Sequence, residues 1–104
     1  MKATLYTPPT QHQQVSIAED WNELIADGFC RLPVTAPELL GCEAGLVDML
    51  ATGPEYVAFA IFDYEGGNPN VAAMEEMERL TGHSFGEDAD STLLGPVLII
   101  RNDN

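Results

Sequence analysis

Residues 55–63, EYVAFAIFD, place seven apolar or aromatic side chains in a row between Glu55 and Asp63. Both parities of the run are apolar, so a strand built from it is buried on both faces and belongs in the interior of a sheet. The residues that follow, YEGGNPN, have the Gly, Asn and Pro content of a loop. Asn70 can then cap a helix over 71–80, with Val71, Met74, Met77 and Leu80 inward, Glu75 and Glu76 outward, and Gly82 closing it. A polar acidic loop, SFGEDADS, leads to a final apolar strand from Pro96 to Arg101.

Upstream of the central run, Ala3 to Tyr6 reads as a short strand and TPPTQHQQ as an exposed polar connector. Ser16 and Glu19 have capping-box spacing, Ile17, Trp21, Leu24 and Ile25 recur at helical spacing, and Gly28 is placed to stop the element. The pattern predicts an amphipathic helix over 17–27. Phe29 to Val34 reads as a short extended segment that Pro33 keeps at an edge or ends. Thr35 and Glu38 repeat the capping-box spacing, and Leu39, Leu40, Leu46, Val47 and Leu50 predict a helix to about Ala51. Gly41 and Gly45 weaken that helix by roughly 1 kcal/mol each, or divide it in two. The expected fold is therefore α+β, a single small domain of 104 residues with three helices packed on a short mixed or antiparallel sheet.

Charge bounds the function. Seventeen Asp and Glu stand against four Lys and Arg, a formal net charge of −13. Between Arg31 and Arg79 there is no basic residue. Direct binding to nucleic acid or to an anionic membrane is disfavoured, since both need the opposite charge. No signal peptide or membrane span is legible, which leaves the cytoplasm as the expected compartment and keeps Cys30 and Cys42 as reduced packing thiols.

No enzyme signature emerges, and no cofactor or metal is expected. His12 and His83 lack ligand neighbours at metal spacing, and no Ser sits in a Gly-x-Ser-x-Gly elbow. Gly66-Gly67 is followed by Asn-Pro-Asn, not by the Gly-Lys-Ser/Thr of a phosphate loop. A calcium loop counted from Asp63 fails at Asn68 and Met74, where Gly and Glu are required.

The carboxylates form a pattern instead. Glu19, Glu23 and Asp27 recur every four residues, with Asp20 beside them. On a helix that interval rises about 6 Å, close to the spacing of ~7 Å between successive phosphates on a strand. Such a row would imitate the charge of a nucleic-acid backbone.

The segment AFAIFDYEGGNPNVAAMEEMERLTG, within residues 58–82, resembles part of the ArdA-type antirestriction proteins, where a strand ends in an Asp-Tyr-Glu-Gly loop and an acidic helix follows. The matching residues are Ala60, Ile61, Asp63, Tyr64, Glu65 and Gly66, then less specifically Met77, Glu78 and Leu80. The resemblance implies a DNA-mimicking inhibitor that blocks the basic groove of a DNA- or RNA-binding protein, such as a restriction–modification enzyme or a CRISPR effector, usually as a homodimer. Glu75, Glu76 and Glu78 carry over as acidic-helix positions. The expected partner surface is then Glu19, Asp20, Glu23, Asp27, Asp63, Tyr64, Glu65, Glu75, Glu76 and Glu78. The alternative is an acidic adaptor for a basic protein, with no relation to nucleic acid.

Overall fold

The computed structural model describes residues 1–26, 28–62, 64, 67–86 and 92–102. The named elements are β1 (Lys2–Thr7), β2 (Gln11–Ser16), α1 (Trp21–Leu24), β3 (Ile25–Ala26), β4 (Phe29–Cys30), α2 (Ala36–Leu40), a 3-10 turn (Ala44–Leu46), β5 (Val47–Gly53), β6 (Tyr56–Ile61), α3 (Val71–Thr81) and β7 (Val97–Arg101). The main sheet runs β2-β1-β7-β6-β5, and each of these neighbouring pairs is antiparallel. Helix and mainly antiparallel sheet thus share one small fold.

Tyr56–Ile61 of the 55–63 run form β6, an interior strand as the two-sided apolar pattern requires, while Phe62 lies beyond it and is exposed. Val57 and Phe59 point to one face, where they meet Leu98 and Ile100 of β7 together with Ala3, Leu5, Ile17, Leu24, Ala36 and Leu40. Ala58 and Ala60 point to the other face, where they meet Val97, Ile99, Ala73 and Met77. Alternation along two adjacent strands therefore makes two cores. The chain between Ile17 and Cys42 covers the first, and α3 covers the second.

α3 forms where its sequence predicts, with Met74 and Met77 buried as expected. The expected inward Val71 is exposed, and the expected outward Glu76 side chain is only 15% exposed, because it turns toward Arg79 and Arg101. The Asn70 side chain accepts from Ala73 N–H, and Gly82 closes the helix at φ +76° in the left-handed region. The carbonyl of Pro9, in the β1–β2 turn, accepts from Val71 N–H at 2.8 Å and Ala72 N–H at 3.3 Å. The first three N–H groups of the helix, which have no partner within it, are thereby satisfied.

The N-terminal half departs from expectation. Only Trp21–Leu24 of the expected helix 17–27 is helical. Ile17 instead exchanges backbone hydrogen bonds with Met1, extending the β1–β2 ladder. Asp20, not Ser16, is the N-cap, and it forms a capping box with Glu23. Ile25 and Ala26 leave the helix to pair with Cys30 and Phe29. The expected connector TPPTQHQQ is half strand, since Gln11 to Gln14 open β2.

The second expected helix ends at Leu40, where Gly41 takes φ +79°. Glycine reaches that region without the steric cost of a Cβ, so it stops the helix. Val47 to Gly53 then pair with β6 as an edge strand. Thr35 is the N-cap, but its side chain makes no capping bond, so the expected box with Glu38 is not formed. One helix of eleven residues and two of four and five thus replace the three expected.

Candidate binding surface

The expected acidic residues fall on opposite sides of the sheet. Glu19, Asp20 and Glu23 belong to the layer on the first core, whose Leu24 and Leu40 pack together. Glu75, Glu76 and Glu78 belong to α3, on the second core. No row runs from one set to the other. Asp27, Asp63, Glu65 and Gly66 lie outside the described residues, as do the acidic residues of GEDAD.

Several of these carboxylates are engaged within the fold. Asp20 Oδ1 accepts from Glu23 N–H at 2.9 Å, and Glu23 Oε1 accepts from Asp20 N–H at 3.2 Å. Glu19 Oε2 accepts from Val34 N–H at 2.9 Å, tying the entry of α1 to the entry of α2. The other Glu19 oxygen, Oε1, and Thr35 Oγ1 are buried and have no hydrogen-bond partner among the described residues. On α3, Glu78 Oε1 accepts from Phe85 N–H at 2.8 Å. Glu76 is paired with Arg79, and its Oε1 lies 3.5 Å from Arg101 Nη1. Two of the chain's four basic side chains thus gather on one carboxylate of α3.

The layer formed by residues 19–46 is different. Among its described residues Glu19, Asp20, Glu23, Glu38 and Glu43 occur there with Arg31 as the single basic residue. Glu38 and Glu43 are exposed. Neither carboxylate makes a hydrogen bond or ion pair among the described residues. The same layer holds apolar side chains in water: Phe29 is 74% exposed and Val34 81%, with Leu32 between them. Sequence reading took Phe29 to Val34 as an edge segment and missed its surface role. The signal that could have found it is a run of large apolar residues at a strand edge too short to bury them.

Tyr64 is the described residue of the Asp-Tyr-Glu-Gly loop. Its ring crosses the backbones of Gly67 and Gly95. A Cβ at Gly95 would stand 2.8 Å from that ring, and one at Gly67 2.9 Å. Gly95 also has φ +73°, and its carbonyl accepts from Asn70 Nδ2 at 2.8 Å. Tyr64 therefore clasps its loop to the chain entering β7.

A groove of about 440 Å³ lies between the β1–β2 hairpin and α3, lined by Tyr6, Thr10, His12, Ala72, Glu75, Glu76 and Arg79. The Tyr6 and His12 ring centroids are 6.0 Å apart. Burial, then the Glu76 charge, push the Tyr6 phenol above its ordinary range, against the opposing pull of Arg101 and Arg79. Its acids, base and phenol converge without a Ser or Cys nucleophile among the lining residues.

Among the described residues, no helix is long and apolar enough to cross a membrane. In comparisons with protein-family models, curated proteins and solved structures, nothing matches this chain.

Proposed function

We propose that this chain is an acidic binding protein, without catalysis, that docks the layer around α1, β3–β4 and α2 onto a basic surface of a protein partner. The observation that carries this reading is the coincidence of unpaired carboxylates with exposed Phe29, Leu32 and Val34 in one layer. Interfaces commonly join apolar anchors at their centre to a charged rim that steers encounter. A pure imitation of phosphates would need the charges and not the anchors.

A second reading makes that basic surface a nucleic-acid groove. Its support is charge density: net −13 on a body 35 Å long is one charge per about 2.7 Å, against one per ~1.7 Å of duplex DNA. The first-helix row Glu19, Glu23 and Asp27 contributes nothing as a row, because the helix ends at Leu24.

Both readings meet in one experiment. The tagged chain is used to capture partners from a cell lysate, beside the variant Glu38→Lys/Glu43→Lys and the variant Phe29→Ser. Glu38 and Glu43 are chosen because Glu19 and Glu23 hold backbone groups, and reversing those would disturb folding. The expected result is a basic protein retained by the native chain and lost with both variants. Release of that protein by duplex DNA selects the groove reading. Retention by both variants would sink the proposal.

A further inference from the structure

The first eighteen residues carry none of the seventeen carboxylates, and Lys2 is their one charged side chain at neutral pH. β2 is thus an uncharged edge on a body of net charge −13. Every residue of β2 but Val15 is exposed. Natural sheets guard their edges with Pro, charges or bulges. β2 has none of these, and its register with β1 runs unbroken from Lys2↔Ser16 to Thr7↔Gln11. The opposite edge, β5, is guarded by a register shift between Met49 and Ala51 and by the exposed Asp48.

The hydrogen-bonding parity of β2 is fixed. Ile17 N–H donates to Met1 O at 2.9 Å, and Met1 N donates to Ile17 O at 3.0 Å. In an antiparallel ladder such two-way pairs recur at every second residue. Ala3/Val15, Leu5/Gln13 and Thr7/Gln11 are therefore the bonded pairs. The N–H and C=O groups of His12, Gln14 and Ser16 point away from β1. Among the described residues no other strand meets them.

We propose that β2 pairs antiparallel with β2 of a second copy, about a two-fold axis at Gln14, joining the two main sheets into one. Outward-facing residues must stand opposite one another. Gln14 then faces Gln14 of the partner subunit, and His12 faces Ser16 of the partner subunit, reciprocally. Each facing pair exchanges both of its N–H···O bonds. A second copy fits because its β2 is a main-sheet edge that brings no charge to this one, whereas its other edge, β5, brings Asp48. An approach through the acidic layer around α1 and α2 would set carboxylate against carboxylate at close range.

The test is sedimentation velocity on the full chain. The expected result is a doubling of mass between about 10 μM and 1 mM, as suits a small interface. Raising salt should favour the dimer, because it screens the repulsion between the two bodies. Gln14→Lys sets two ammonium groups face to face and should weaken association about three- to fivefold, although it lowers the net negative charge. Gln13→Lys makes the same charge change on the opposite sheet face and should leave the dimer intact. Both side chains are exposed, so both monomers should melt where the native chain does. Gln14→Cys should cross-link through position 14 on oxidation, since facing Cα atoms about 5.5 Å apart suit a disulfide. A native chain still monomeric at about 1 mM in high salt would overturn the proposal. So would a dimer indifferent to Gln14→Lys, or one weakened equally by Gln13→Lys.

Discussion

Asn70 shows how much one buried polar side chain can join. It is fully buried, its Nδ2 donates to Tyr6 O at 3.0 Å and Gly95 O at 2.8 Å, and its Oδ1 accepts from Ala73 N–H at 3.1 Å. One amide thus binds β1, the approach to β7 and the start of α3. Asn70→Ala removes the cap and leaves buried groups unpaired, so denaturant unfolding should show a loss of about 3 kcal/mol. Asn70→Asp keeps the capping oxygen but loses both donors, so it should not restore stability. Full recovery with Asp would mean that the cap alone matters. The cap was legible in sequence, because Asn before an apolar helical pattern is a local signal. The bonds to Tyr6 and Gly95 span 64 and 25 residues, and no local pattern encodes them.

Tyr6 gives a pH prediction at the same scale. Its folded pKa is raised above the ordinary 10, chiefly by burial and next by Glu76. Folding therefore favours the neutral phenol. That contribution is fully present below pH 10 and is lost as the pH rises through the folded value. Spectrophotometric titration should place Tyr6 above its ordinary range, and Glu76→Gln should lower its pKa. In thermal melts the alkaline loss of stability should be shallower in Tyr6→Phe. No change in the titration of Glu76→Gln would remove Glu76 as a cause.

Among the elements, α1 and α3 show opposite relations between local signal and outcome. For α3, apolar period, N-cap and terminal glycine agree, and the expected boundaries survive to within a residue. For 17–27 the apolar period was equally good, yet Ile17 and Ile25 serve strand-like pairings on either side of a single turn. Asp20 and Glu23 had the same capping-box spacing as Ser16 and Glu19, and the ladder to Met1 decided between them. Asp20→Ala should accordingly cost about 1 kcal/mol, while Ser16→Ala should cost little, as read by chemical denaturation. Equal costs would contradict the placement of the cap. Val47 to Leu50 misled for a related reason: a short apolar run does not separate helix from strand until a neighbour such as β6 supplies the hydrogen bonds.

At the scale of the whole molecule, net charge sets the solution behaviour. Arg79 and Arg101 converge on Glu76, which leaves most carboxylates repelling one another across the surface. The melting temperature should therefore rise as sodium chloride increases from about 10 to 150 mM, where the Debye length falls from about 30 to 8 Å. A flat response would mean that the carboxylates lie too far apart to interact.

The sequence by itself determined the acidity, the interior strand within 55–63, the capped helix that follows, and the strands near each end of the chain. All of these rest on composition or on signals contained within about ten neighbouring residues. Only the tertiary structure decided where Ile17, Ile25 and Val47 would find backbone partners, because those partners lie elsewhere in the chain. It also decided that the two acidic helices stand on opposite faces, for alternation along β6 and β7 makes two cores and sends each helix to a different one. The expected row of charges dissolved there. In its place stand an acidic layer with Phe29 and Val34 exposed within it, and an uncharged edge at β2.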